Sequence, residues 1–287
     1  MPIQIENFIF VFSFLDYKQN NYDEKVYVFL SCFLLSGCGM IDYHPYDVRI
    51  SGETEVNAHN IERIEANCQG KTTIRFVTMG DSQRWYDETE DFVKEINKRN
   101  DIDFVIHGGD MSDFGLTKEF LWQRDIMNGL NVPYVTLIGN HDCLGTGAET
   151  YKAVFGPTNF SFIAGNVKFV CLNTNALEYD YSEPVPNFTF MEQEITSRLD
   201  EFEKTVISMH ARPYTDVFND NVAKVFQHYI RQYPGIQVCT AAHTHHYQDD
   251  VIFDDGIHYV TSDCMDYRTY LVFTITPEKY EYELVKY

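Results

Sequence analysis

Val132-Pro133-Tyr134-Val135-Thr136-Leu137-Ile138-Gly139-Asn140-His141-Asp142 is a short β-prone run that ends abruptly in a polar cluster. Branched and aromatic side chains fill the run, and Pro133 sits near its start, where a strand tolerates a residue without an N–H. Glycine then breaks it, and an amide, an imidazole and a carboxylate follow in succession. The same pattern recurs on both sides. Thr73–Met79 ends in Gly80-Asp81-Ser82-Gln83, and Phe104–His107 ends in Gly108-Gly109-Asp110-Met111-Ser112-Asp113. Lys204–Met209 ends at His210, and Ile236–Thr240 ends at Ala242-His243-Thr244-His245.

Between these runs, Glu88–Lys98, Thr117–Met127, Phe190–Phe202 and Asn219–Tyr233 carry apolar residues at helical spacing, with Thr117 read as an N-cap. Residues 159–174 read as a hairpin turning at Gly165-Asn166, and 250–287 as three or four strands. Strand–helix alternation followed by strands predicts a layered α/β fold with two sheets. Five strand ends carrying metal-ligand types place the site where α/β folds put their ligands, at the carboxyl ends of strands.

The residue types define a chemistry. Two divalent cations about 4 Å apart can clamp a phosphoryl group and its attacking oxygen. Carboxylate, amide oxygen and imidazole suit Mn, Fe and Zn. Two anionic ligands against two dications leave a cationic site, able to hold a phosphate within an acidic protein. Taken singly, each residue has a plainer reading. Asp81, Asp110 and Asn140 fit turns, His210 fits a satisfied core histidine, and His243 with His245 fits a chance cluster. All six at strand ends, in order, favour the metal reading.

In this order the clusters resemble the calcineurin-like metallophosphoesterases, whose pattern is D-x-H, G-D, G-N-H-[DE], H and G-H-x-H. The resemblance runs from about residue 72 to the end of the sequence. It implies a four-layer αββα sandwich and a two-metal hydrolase of phosphomonoesters or phosphodiesters, acting on a small phosphate ester. It implies a first metal on Asp81, His245 and a bridging Asp110. A second metal falls to Asp110, Asn140, His210 and His243. His141 would give a hydrogen bond or proton to the phosphoryl or leaving oxygen, with Asp142 orienting its ring. The sequence departs from the family in carrying Gln83 where D-x-H has histidine. Gln83 is a neutral and weaker donor, found in branches resembling manganese-dependent nucleotide-diphosphate hydrolases. Asp113 stands where purple acid phosphatases carry a ligating tyrosine. The competing reading is a metal-binding but inactive relative, motivated by Gln83 and opposed by the retained His141. Arg84 and Arg212 flank the clusters as phosphate-binding candidates, Asp263 and Tyr267 as pocket candidates. His107 reads as structural.

Composition bounds the alternatives. The 287 residues carry 44% hydrophobic and 23% charged side chains, an ordinary globular balance. The 20 Tyr and 22 Phe are spread along the chain and read as packing. The net charge of −21 opposes nucleic-acid binding, which rests on Lys and Arg neutralising phosphates. Seven cysteines show no zinc-binding spacing, and Cys171 and Cys239 read as buried thiols with no disulfide framework. Near the amino terminus, Lys25 precedes the apolar run Val26–Leu35 and then Ser36-Gly37-Cys38. The run is too short to span a bilayer, which needs about 20 residues, and has the length of a secretory h-region. Leu35-Ser36-Gly37-Cys38 resembles the lipobox of bacterial lipoproteins. It implies residues 1–37 as signal peptide, a lipidated Cys38, and export to the cell envelope with membrane contact through lipid only. Residues 38–71 then read as tether and lead-in, and 72–287 as the catalytic domain.

Overall fold

Side chains along a strand alternate between its faces, and here both faces of the central strands are apolar, so each sheet has to be covered twice. The computed structural model describes residues 49–176 and 184–287. In chain order its strands are β1 (Ile74–Met79), β2 (Phe104–His107), β3 (Tyr134–Thr136), β4 (Phe160–Ala164), β5 (Val167–Leu172), β6 (Lys204–Met209), β7 (Ile236–Ala241), β8 (Gln248–Asp250), β9 (Tyr259–Thr261), β10 (Thr269–Ile275) and β11 (Tyr280–Lys286). Its α-helices are α1 (Val56–Cys68), α2 (Tyr86–Ile96), α3 (Thr117–Met127), α4 (Gly147–Phe155), α5 (Phe188–Thr196) and α6 (Ala223–Ile230). One sheet has the order β11-β10-β1-β2-β3, the other β4-β5-β6-β7-β9-β8.

Alternation sorts the side chains into three cores. Phe76, Phe104, Ile106, Val135 and Phe273 of the first sheet meet Phe162, Phe169, Val206, Val238 and Val260 of the second. Their sequence neighbours point away. Val77, Val105, Tyr134 and Val272 pack with Phe92, Phe120 and Tyr151 of α2, α3 and α4. Val170, Ile207, Cys239 and Tyr259 pack with Met191 and Phe226 of α5 and α6. The layers are therefore helix, sheet, sheet, helix, as the resemblance implies. Phenylalanines mark the centre: the Phe76 ring stacks on Phe273 at 5.1 Å and meets Phe169 edge-on at 4.9 Å.

Strands β2 and β6 have the expected limits, and β4 and β5 form the expected hairpin. Helix α3 starts at Thr117, but its N-cap is Leu116. The Glu119 carboxylate reaches back to accept from Phe114 N (3.0 Å) and Leu116 N (3.1 Å), which fixes the chain entering the helix. The expected 190–202 helix stops at Thr196. There the buried Lys168 ammonium donates to the carbonyls of Glu194 (2.6 Å) and Ser197 (3.0 Å) and pairs with the Glu194 carboxylate at 2.8 Å. Cys171 and Cys239 are buried free thiols.

The main departure is α1, within the segment read as lead-in. It lies against β3 and β4, one edge strand from each sheet. The Asn57 side chain donates to Thr136 O (3.0 Å) and accepts from Thr136 N (2.9 Å), and Glu65 accepts from Ile163 N (2.9 Å). These polar side chains satisfy strand edges that would otherwise be open. Val56, Ile64 and Cys68 enter the cores, so the folded unit includes this helix rather than starting at residue 72. The apolar run and Cys38 lie outside the described residues, as do 177–183.

Candidate metal centre

β1, β2 and β3 run parallel, as do β5, β6 and β7, so their carboxyl ends gather at one end of the sandwich. The first sheet brings Asp81, Gln83, Asp110 and Asn140 there, and the second brings His210, His243 and His245. Four of these have left-handed backbone: Asp81 (φ 51°), Asp110 (φ 57°), His243 (φ 73°) and His245 (φ 59°). Such geometry costs about 1–3 kcal/mol per residue and persists only where surrounding bonds impose it. Those bonds are present. Asp81 N donates to Gly109 O (2.9 Å), and the N–H groups of Ser82 and Gln83 both donate to Asp110 O (3.0 Å). Glycine is needed where the loops touch. A Cβ at Gly109 (φ +102°) would lie 2.8 Å from His210 Nδ1, and one at Gly139 would lie 2.1 Å from Asp110 Oδ1.

The donor atoms form two groups that share one residue. Asp110, His210 and His243 offer ligand atoms within 4.8 Å of one another, and so do Asp81, Asp110 and His245. Asn140 Oδ1 joins the first group, 3.0 Å from His210 Nε2 and 2.9 Å from His243 Nδ1. The far ring nitrogens are already committed. His210 Nδ1 donates to Gly108 O at 2.9 Å, and His243 Nε2 donates to Asp216 Oδ1 at 2.6 Å. The nitrogens facing Asn140 therefore carry lone pairs in the neutral rings. Acceptor faces acceptor, which a cation or a proton reconciles. At the other group, Asp81 Oδ1 is buried without a hydrogen-bond partner and lies 3.5 Å from His245 Nε2; Gln83 Oε1, on the loop that follows Asp81, is likewise buried and unpartnered. Orphaned buried oxygens beside imidazole are what a divalent cation requires, so the residues fit the expected ions.

The charges agree. Burial pulls His210 down, but Asp110 and Asp81 outweigh it and lift its pKa to about 9. Burial likewise raises Asp110, yet His210 and His141 bring it below the ordinary carboxylate range. The nearby Asp81 carboxylate, and after it Cys264, push His245 up to about 10. Cations binding here displace protons.

His141 does not join either group. Its Nδ1 donates to the main-chain carbonyl of Asp113 at 2.8 Å, which leaves Nε2 free on a side chain 34% exposed. Asp142, expected to orient that ring, does something else. Its carboxylate accepts from the N–H groups of Asp110, Gly139, Met111 and Ser112 and from the Ser112 hydroxyl. It is fully buried and ties the second and third motif loops together. Asp113, through its carbonyl, and Asp216 are the supporting groups the sequence reading did not single out.

His107 is structural, as expected. It is neutral because burial pushes its pKa down to about 3, and it links Gly109 N to the Ser82 hydroxyl. Asp263 accepts from Tyr247 N (2.7 Å) and Thr269 Oγ1 (2.6 Å), so it fastens its loop instead of lining a pocket. Tyr267 is half-exposed beside His246. A cleft of about 440 Å3 opens beside His243, lined by Arg212, Tyr214, Asp216 and Gln248 among others.

Comparison with known proteins agrees with this geometry. A family model described as calcineurin-like phosphoesterase matches residues 74–247. No curated protein matches. Among solved structures, a dimetal phosphatase from Danio rerio superposes with a TM-score of 0.57 at 12% identity, covering 74% of this chain and 97% of that one. Purple acid phosphatase PPD1 from yellow lupin gives 0.56 at 15% identity, covering 76% and 52%. GAP50, described as the anchor in the inner membrane complex of Plasmodium, gives 0.58 at 12% identity, covering 75% and 85%.

Proposed function

The chain belongs to the calcineurin-like phosphoesterases, and from that premise we propose that it hydrolyses a small phosphomonoester or phosphodiester with two divalent cations. The observation that carries the reading is the pair of donor groups sharing Asp110. Fold alone does not decide, since one protein of the same fold is described as an anchor. The ligand set supports the phosphoesterase reading. When bound, two divalent ions polarise phosphoryl oxygens and bring the pKa of water toward neutrality.

The chain's own residues do the rest. Asp110 joins the two positions, Asn140, His210 and His243 complete one, and Asp81, Gln83 and His245 complete the other. His141, pinned at Nδ1, would act as the imidazolium, giving its Nε2 proton to the leaving oxygen and keeping the Nδ1 proton on the Asp113 carbonyl. An inactive relative has no evident use for that free nitrogen. The acidic balance of the chain favours a small ester over nucleic acid.

The test is hydrolysis of p-nitrophenyl phosphate and bis(p-nitrophenyl) phosphate across Mn, Fe, Zn, Mg and Ni, with elemental analysis of the purified protein. Turnover that tracks metal content supports the reading. Bound metal without turnover on any ester supports the inactive relative.

Localisation is a separate proposal. The Leu35-Ser36-Gly37-Cys38 stretch supports a lipid-anchored envelope protein. No helix of the described residues is long and apolar enough to cross a membrane. Cys38→Ser should leave the protein unprocessed or released from membranes, and native protein retaining residues 1–37 by mass spectrometry would refute the proposal.

A further inference from the structure

Two arginines adjoin the ligand clusters, and their surroundings differ. Arg212, two residues after His210, donates from Nη2 to Gln248 Oε1 (2.7 Å) and Asp250 Oδ2 (2.8 Å); its Nε is buried without a partner, and its side chain is 12% exposed. Arg84, directly after Gln83, is 61% exposed and pairs with Asp113 Oδ1 at 2.6 Å. Its main chain is not free to wander. The N–H groups of Ser82 and Gln83 are bonded to Asp110 O, and Trp85 N is bonded to Ser82 O. Asp113 in turn holds the ring of His141 through its carbonyl. Arg84 is therefore a solvent-facing cation on a fixed loop, paired with the residue whose carbonyl seats His141.

We propose that Arg84 reads substrate charge, leaving Asp113 to bind a non-bridging oxygen of a phosphate dianion, so that the preferred substrate class is the phosphomonoester over the phosphodiester. The inference rests on the phosphoester reading above and deepens it. Only the Arg84 end of the pair is open to solvent: Arg84 is 61% exposed and Asp113 12%, and the contact joins one guanidinium nitrogen to one carboxylate oxygen. A guanidinium–phosphate contact is charge-assisted and can be bidentate, whereas the pair with Asp113 is a single nitrogen–oxygen contact. A monoester near neutral pH carries two negative charges and no second ester group, so it gains most from the contact. A diester carries one charge, and its second organic substituent occupies the place of an oxygen that Arg84 would take. Arg212, 12% exposed and held at Nη2 by an amide and a carboxylate, is the less accessible cation.

The test uses binding, so that it does not depend on turnover. The manganese-loaded protein is titrated calorimetrically with phenylphosphonate, a dianion at mildly alkaline pH, and with diphenyl phosphate, a monoanion. Arg84→Met should weaken phenylphosphonate about 10-fold or more and diphenyl phosphate less than about 2-fold, with metal content unchanged. Arg84→Lys should recover part of the loss. Equal weakening of both probes, or none, overturns the assignment to Arg84 while leaving the phosphoester reading intact. A loaded wild type that binds neither probe overturns the phosphoester reading, and this inference with it.

Discussion

The two sheets contribute unlike halves to one centre. The five-stranded sheet supplies oxygen, from Asp81, Gln83, Asp110 and Asn140, and the six-stranded sheet supplies imidazole nitrogen, from His210, His243 and His245. In the oxygen half, Asp81, Gln83 and Asp110 are buried, the loop of Asp81 and Gln83 is bonded to that of Asp110, and the Asp110 and Asn140 loops are gathered on Asp142. The nitrogen half is graded. His210 is fully buried, His245 is 37% exposed, and His243 leans on Asp216, an exposed acid. The outer layers differ in the same sense. Helices α2, α3 and α4 sit on an apolar core, whereas α5 is also pinned by the buried pair Lys168–Glu194. The oxygen half is thus preorganised by backbone, and the nitrogen half is set by side chains that respond to protons and to single substitutions.

The largest expected effect separates chemistry from both halves. His141→Ala should lower kcat by about 10²–10⁴ with both metals retained, and by less for esters with good leaving groups such as nitrophenol. Loss of metal from this variant would place His141 among the ligands and undo its distinction from them.

The next concerns stability in acid. Burial raises the Glu194 carboxyl, but hydrogen bonds from Lys168, Ser161 and Ser197 outweigh it and hold its pKa below the ordinary glutamate value of 4.5. A carboxyl with a lowered folded-state pKa contributes stability that is present above the unfolded value and lost as pH falls through the folded one. The six-stranded side should therefore loosen first below about pH 4.5, seen as earlier hydrogen exchange in β5 and α5 than in β1 and β2. Glu194→Gln should remove that pH dependence and cost about 3 kcal/mol at neutral pH, since it strands a buried ammonium. Simultaneous exchange in both sheets would erase this part of the contrast.

A smaller effect should come from Asp216→Asn. A carboxylate behind a ligating imidazole raises its basicity, and losing it should weaken metal binding about 10-fold. The loss should fall at the Asn140, His210 and His243 position and spare the position of Asp81 and His245.

Much of this arrangement was legible in residue types, because strand ends marked by glycine and followed by Asp, Asn or His announce themselves. The Phe104–His107 and Lys204–Met209 strands, and the gathering of Asp110 with His210 and His243, follow from that signal. What was not legible runs through the main chain or through polar residues in unpatterned sequence. The Asp113 carbonyl that seats His141 has no residue-type signature, since any residue carries one. Asp142 looked like a partner for its neighbour's ring, but an imidazole needs one acceptor, and the loops around Asp142 present five donors. Helix α1 buries Asn57 and Asn60 along with Val56 and Ile64, so its hidden face shows no apolar stripe.

The central claim is that Asp110 belongs to both positions and Gln83 to one. Manganese titration with elemental analysis, run on the wild type, Asp110→Asn and Gln83→Ala, tests it most directly. The account expects two ions per chain in the wild type. Asp110→Asn should lower occupancy at both positions and remove hydrolysis, and Gln83→Ala should weaken one ion and leave the other. Equal losses in the two variants, or a wild type that takes up a single ion, would contradict it.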